Sequence, residues 1–391
     1  MAEYQRLDEL CHINMGQSPD STSYNQVGEG IPFFQGNADF GTIHPVTRVW
    51  CNAPTKIVET GTLLISVRAP IGALNFATEQ SCIGRGLAGI TPKNDINLKY
   101  IYYCLKSKTN ELNAKGTGST FKAIAKKALG ETSVKVVPSA DQAKIVEILD
   151  KTCSVIEARK QQLAELDNLI KARFVEMFGN PVSNEMRWEQ VPLSACVESI
   201  DNGKSFVCDS AARQGDWPAV LKLSAATYGF YRPEENKAML DDKQFVEDAA
   251  VRVGDLLFTR KNTPELVGMC AYVYDTPRKL MMPDLIFRLN TTPNCNKLFL
   301  WKLINHDFFR ECIQAIATGS AKSMSNISKE RLLGLKIILP PIGLQEQFAA
   351  FVEQTDKSKV VEAIHKTNTL FNTTLNGGNR YDIRANEYKT K

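Results

Sequence analysis

The phrase GTGSTFKAI at 116–124 returns as ATGSAKSMSNI at 317–327, and its surroundings return with it. A shift of 203 positions sets Phe121 on Met324, Ile124 on Ile327, Lys126 on Lys329, Leu129 on Leu332, Pro138 on Pro341 and Gln142 on Gln345. Upstream the shift falls to 199, where Tyr100, Ile101 and Tyr102 meet Phe299, Leu300 and Trp301. It falls again to 193, where GTLLIS at 61–66 meets GDLLFT at 254–259, and to 186 at Leu7 and Leu193. An offset that grows along the chain is what small loop insertions do to a shared scaffold. The chain is therefore read as two divergent copies of one fold in tandem, with a single continuous domain as the alternative.

Each copy mixes strand and helix signals. GTLLISV and GDLLFTR read as short strands entered through a glycine turn. SVKVV at 133–137 and LKIIL at 335–339 are apolar runs that stop at proline, as strands do. A helix is expected over 299–316, where Leu300, Leu303, Ile304, Phe308, Ile313 and Ile316 recur roughly every three or four residues. The fold class is thus α+β: two related mixed domains in tandem. Strand order is not fixed by these patterns.

After Pro138 the period changes. Ile145, Leu149, Thr152, Ile156, Arg159, Leu163, Leu166, Ile170, Arg173 and Met177 alternate in steps of four and three, the spacing of a coiled-coil seam. The spacing predicts a helix over 142–178 that stops before Gly179-Asn180-Pro181. Such a helix cannot bury its stripe alone. The second copy offers a partner in residues 344–371, with Phe348 and Val352 in one register and Val361, Ile364, Asn368, Phe371 and Leu375 in another. Antiparallel pairing of the two helices is expected; a long helix packed against its own domain is the alternative. Beyond Leu375 the copies part, and NGGNRYDIRANEYKTK reads as a polar tail.

Enzyme signatures are missing. The sequence holds no G-x-x-x-x-G-K-[ST] loop, no G-x-G-x-x-G after a strand and no H-E-x-x-H. Its ten cysteines contain no CxxC pair and its four histidines do not cluster, which argues against a zinc or iron-sulfur centre and for thiols as small core fillers. No signal peptide or membrane span is read, so a cytoplasmic location is expected.

Charge is more informative locally than globally. The net value is only +4, too little to imply a nucleic-acid partner. Yet Lys93 to Lys127 holds eight lysines against two acids, and Lys297 to Lys336 holds seven basic residues against three acids. Positive charge at matching places in both copies suits backbone phosphates, although a merely solvated lysine face would look alike. Thr117, Gly118, Ser119, Lys122 and Lys126 in the first copy, and Thr318, Gly319, Ser320, Lys322 and Lys329 in the second, are candidates for such contacts. Gln35, Asn37, Arg48, Arg68, Lys222, Arg260, Lys261 and Asn262 have donors and acceptors suited to base edges, or to fixing turns.

With these features together, the chain resembles the specificity subunit of type I restriction-modification systems. The resemblance covers residues 1–375 and rests on GTLLIS, GDLLFTRKNTPELVG, TGSTFKAI, TGSAKSMSNISKERLLGLKIILPPIGLQEQF and the run from Val137 to Gly179. It implies a non-catalytic reader of double-stranded DNA. Residues 1–138 and 185–341 would be two target-recognition domains. Residues 139–184 and a shortened 342–375 would be paired spacer helices that dock adenine-methyltransferase subunits, with restriction and translocase subunits joining, and 376–391 would be the tail. Catalytic residues, cofactors and metals would be absent from this chain, with S-adenosylmethionine and ATP confined to the partner subunits. Family members commonly end in a second helix nearly as long as the first, from which this sequence departs. A coiled-coil protein scaffold and a nucleic-acid enzyme with an atypical site are the other classes left open.

Overall fold

The computed structural model describes residues 3–118, 122–319 and 324–355. The chain divides into two compact units, one reaching to Lys160 and the other beginning at Gln161. Five positions expected in the second helix, Val361, Ile364, Asn368, Phe371 and Leu375, lie outside the described residues, as do residues 376–391 and the candidates Ser119, Ser320 and Lys322.

Both units use one plan. In the first, Cys11–Met15, Leu87–Pro92, Leu63–Ser66 and Leu74–Phe76 make a four-stranded antiparallel sheet in that order. In the second, Val197–Asn202, Ile286–Thr291, Leu256–Thr259 and Cys270–Tyr272 do the same. The middle strands are the expected LLIS and LLFT runs, entered at Gly61 and Gly254 with φ of 80° and 86°, where a side chain would be strained. They are unbroken apolar runs because both faces are covered: Leu63 and Ile65 enter one core and Leu64 another, and Leu256 and Phe258 part from Leu257 in the same way. The strands ending at proline also form, Ser133–Val136 pairing with Glu3–Arg6 and Lys336–Ile338 with Gln190–Pro192.

A second sheet, of five short strands in the first unit and three in the second, accompanies each main sheet and is built around one parallel pair. Phe33 lies opposite Cys82 in the first unit and Val220 opposite Met281 in the second. That correspondence sets Gln35 on Lys222, two residues past Phe33 and Val220, a match hidden in the sequence by divergent loops.

The expected helix over 299–316 is two helices, Lys297–Asn305 and Asp307–Ala315. His306 separates them in extended backbone at φ −69° and ψ 135°, its ring nitrogen accepting from Phe308 N. A side chain that caps the next turn ends the previous one, which apolar spacing alone does not reveal.

The long helix runs Ser139–Phe178. Near its start Val146, Leu149 and Ile156 are buried in the first unit's core; near its end Ile170, Phe174 and Phe178 are buried in the second's. Ile145, Thr152, Leu163, Leu166, Arg173 and Met177 are half-buried and Arg159 is exposed. The trailing helix is described over Ile342–Gln354, and its Phe348 and Val352 are buried in that same second core. There Phe348 meets Phe174 and Phe178 edge to face, at ring-centre distances of 5.5 and 5.4 Å. Fully burying one such ring is worth roughly 2–3 kcal/mol.

Ten free cysteines are distributed through the units, most of them buried. Burial pushes the Cys11 thiol up to about 12 and Cys104 to about 11, so these thiols are unreactive fillers. Among the described residues no group of three or more His, Cys, Asp or Glu is arranged to hold a metal ion, and no helix is long and apolar enough to cross a membrane.

Candidate nucleic-acid interface

The repeated Thr-Gly phrase is a hairpin laid against the end of the central strand. In the first unit Thr117 N–H donates to Ala123 O at 3.0 Å and Ala123 N–H returns a bond to Thr117 O at 2.9 Å. The hairpin is then fixed to the strand: Ile124 N–H donates to Val67 O at 2.9 Å and Ala69 N–H to Lys122 O at 3.1 Å. On its other side the strand joins a turn, Val67 N–H donating to Gly86 O at 2.8 Å and Gly86 N–H to Gln35 O at 3.1 Å. One backbone network therefore brings Gln35, Arg68, Thr117 and Lys122 to a single edge.

The second unit repeats the hairpin and its ties to the strand and the turn, without, among the described residues, the link that joins Gly86 to Gln35 in the first. Thr318 and Asn326 exchange backbone bonds of 2.8 Å each, Ile327 N–H donates to Arg260 O at 2.8 Å, and Arg260 N–H donates to Leu285 O at 3.0 Å. Lys261 pairs with Asn326 and Asn262 with Ser325. A hairpin closed on both strands and pinned to a sheet is held by bonds that are each modest but act together.

The candidate side chains then separate by what they touch. Arg68, Lys122 and Lys126 are exposed and form no ion pair among the described residues. Thr117, Gly118, Thr318 and Gly319 are exposed at the hairpins, and Gln35 is exposed at the neighbouring strand end. Lys222 and Lys261 are half-buried. Apart from Thr318, whose Oγ1 donates to Asn326 O at 3.2 Å, these side chains can meet a polyanion without breaking an internal contact.

Others are already engaged. Arg260 lies over the Phe287 ring at 4.9 Å, and its Nε and Nη2 both reach Asn326 Oδ1 at 3.3 Å. Asn262 is buried, with Nδ2 donating to Thr227 Oγ1 at 3.1 Å. Lys329 Nζ donates to Ile200 O at 2.6 Å. Arg48 holds Asp39 at 2.9 Å and also bonds Ala38 O. Asn37 begins the short turn Asn37–Asp39. These contacts tie loops down, the role that each polar loop residue also allowed from sequence.

Sequence reading passes over Arg85. It is exposed, sits between Gly84 and Gly86 beside Gln35, and forms no ion pair among the described residues. The second copy reads Pro283-Asp284-Leu285 at the matching place, so no shared motif draws attention to it. Besides Arg85, the first unit carries Arg68, Lys122 and Lys126, cations of the kind that follow a phosphate backbone.

Comparison with known proteins gives a consistent picture. The family described as "Type I restriction modification DNA specificity domain" matches residues 2–168 and again residues 188–370. A putative type I restriction enzyme MjaX specificity subunit from Methanocaldococcus jannaschii is 40% identical over 165 residues, which is 42% of this chain and 39% of the relative. The type I restriction enzyme EcoEI specificity subunit of Escherichia coli is 27% identical over 208 residues, 51% of this chain and 34% of the relative. The matches thus span well under two thirds of these relatives' length. The crystal structure of a type-I restriction-modification system S subunit from M. genitalium superposes with a TM-score of 0.55 at 13% identity, over 96% of this chain and 95% of that one. That likeness is one of fold.

Proposed function

We infer the function from descent: this chain belongs to the type I restriction modification DNA specificity domain family, and we read it as the non-catalytic subunit that recognises a bipartite duplex DNA target. Each unit reads one half-target. Companion subunits, which bind S-adenosylmethionine and ATP, methylate adenine and cleave; this chain supplies the address.

The observation that carries the reading is the duplicated edge, with a strand end, a hairpin and a glycine-bounded or proline-bounded turn knitted by the same backbone bonds in both units. In the first unit that edge carries cations that form no ion pair among the described residues. Phosphate contacts from such residues position a protein on duplex DNA, and side chains on the same edge can then reach base edges. Residues 1–138 and 185–341 are the two readers in this account.

The remaining helices set the gap. A helix of 40 residues is about 60 Å long at 1.5 Å per residue. We take residues 139–184 and 342–375 as antiparallel spacers that also dock the methyltransferase subunits. Supporting this are the four-three seam of the first helix and the packing of Phe348 on Phe174 and Phe178 within the second unit.

The test is to assemble the chain with its companion modification subunits and map methylated adenines across a genome. A two-part motif with a fixed unspecified gap is expected. An active complex that yields no such motif overturns the assignment. Equal and weak binding of specific and scrambled duplexes by the full assembly would favour a protein scaffold instead.

A further inference from the structure

The two units build one turn by the same bonds and then place opposite charges at one position of it. In the first unit Gly16 N–H donates to Leu87 O at 2.9 Å, Gln17 N–H to Ile83 O at 3.0 Å, and Arg85 N–H to Ser18 Oγ at 3.3 Å. In the second, Gly203 N–H donates to Ile286 O at 3.4 Å, Lys204 N–H to Met282 O at 2.9 Å, and Asp284 N–H to Ser205 Oγ at 3.2 Å. Residue by residue these are the same bonds: Gly16, Gln17 and Ser18 correspond to Gly203, Lys204 and Ser205, and Arg85 corresponds to Asp284.

The correspondence is enforced by close packing. A Cβ on Gly16 would lie 2.2 Å from Gly84 O, and one on Gly203 would lie 2.1 Å from Pro283 O. Neither position admits a side chain while the turn stays where it is. A Cβ on Gly86 would meet Gln35 O at 2.2 Å, which holds the first turn flush against the neighbouring strand end. The turn is thus a fixed mount; beside exposed Gln17 and Lys204, it presents residues 85 and 284 at one shared position.

From this we propose that Arg85 and Asp284 are specificity-determining residues, Arg85 reading guanine in one half-target and Asp284 reading cytosine in the other. The proposal rests on the DNA-recognition reading above. Its physical ground is the inversion of charge. A phosphate looks the same to both units, so a position that gripped the DNA backbone would carry a cation in both copies. A carboxylate at the second mount would instead repel phosphate. A base edge differs from one half-target to the other and can want either sign. Guanine offers O6 and N7 as paired acceptors to an arginine, and cytosine offers its N4 amino group to a carboxylate.

Asp284 is also held for that task. Its backbone N–H and Oδ1 both bond Ser205 Oγ, which leaves Oδ2 of this exposed residue without a hydrogen bond among the described residues. Arg85 has no such tether and forms no ion pair among the described residues, so its five donors are free.

The experiment uses the assembled complex. Methylomes are recorded with the wild-type chain, with Arg85→Ala and with Asp284→Ala, and binding is measured on duplexes carrying each single-base change of the wild-type motif. Each variant should relax one base position, and the two should act in different half-targets, a guanine for Arg85 and a cytosine for Asp284. Discrimination at that position should fall about tenfold or more, the range of one good side-chain-to-base pair. The rest of the motif and the gap should stay as they were. Arg85→Gln and Asp284→Asn serve as conservative controls, with melting temperatures confirming that each variant folds. Unchanged motifs from folded variants overturn the proposal. So does a uniform loss of affinity across all sequences with a shallower salt dependence for Arg85→Ala, which marks a phosphate contact. A wild-type complex with no bipartite motif would defeat the functional reading itself, a separate outcome.

Discussion

Gln345 Oε1 accepts the backbone N–H of Asn296 at 2.9 Å, and Gln142 Oε1 accepts that of Asn97 at the same distance. Both glutamines are buried, at 0% and 4% exposure. Asn296 and Asn97 in turn cap the helices Lys297–Asn305 and Leu98–Ser107. Each trailing helix is therefore locked to its own unit through one side chain. The amide groups complete the lock: Gln345 Nε2 donates to Pro340 O at 2.7 Å and to Asn294 O at 3.2 Å, and Gln142 Nε2 to Val137 O at 2.9 Å.

Gln345→Leu should destabilise the second unit by about 2–3 kcal/mol, because it leaves buried backbone groups without partners. Gln142→Leu should act in the same direction on the first unit, with a smaller effect because fewer bonds are lost. Denaturant unfolding of the two variants would check both the size and the order.

Arg260 and Lys261 should separate in their effects. Arg260→Ala removes the contacts to Phe287 and Asn326 and should lower stability by about 1–2 kcal/mol. Lys261→Ala should leave the melting temperature within a degree or two and weaken DNA binding by the assembled complex. A stability loss for Lys261→Ala with unchanged binding would remove it from the interface.

Replacing Arg68, Lys122 and Lys126 together by alanine should weaken binding to all duplexes alike. Loss of three phosphate contacts lowers the magnitude of the slope of log affinity against log salt by about 2–3. A salt titration on specific and scrambled duplexes measures this directly. An unaltered slope would mean that these cations face only solvent.

The spacer reading is tested by length. A seven-residue helical insertion after Gln162, in an exposed stretch of Ser139–Phe178, preserves the phase of the stripe and adds about 10 Å. The recognised gap should widen by about three base pairs at 3.4 Å each. Both half-targets recovered at the old spacing would sink the ruler idea.

Lys302 gives a pH-dependent prediction. Its half-buried side chain places Nζ 3.4 Å from the centre of the Trp301 ring, and burial, with the Lys171 charge adding to it, pushes the ammonium down to about 7. The unfolded chain then binds more protons than the folded one between about 7 and the ordinary value of 10.5, so stability should rise with pH through that window. Below it the full penalty for a covered charge remains. Lys302→Met should raise the melting temperature most below pH 7, with the gain shrinking as pH climbs. An equal gain at pH 6 and pH 10 would contradict this.

What the sequence determined by itself is the part written in neighbouring residues. The growing offset between copies identified the duplication, the LLIS and LLFT runs identified the central strands, and the four-three stripe identified the long helix, because periodicity follows from backbone geometry within a few turns. Tertiary structure alone decided the rest. It engaged Arg260 and buried Asn262, two residues whose polar chemistry had marked them for contact. It also set Arg85 and Asp284 on matching mounts, one in each unit, although their copies share no motif there. The mount arises where residues 16–18 meet 83–87 and residues 203–205 meet 282–286, and approaches between segments so distant in the chain leave no periodic trace along it.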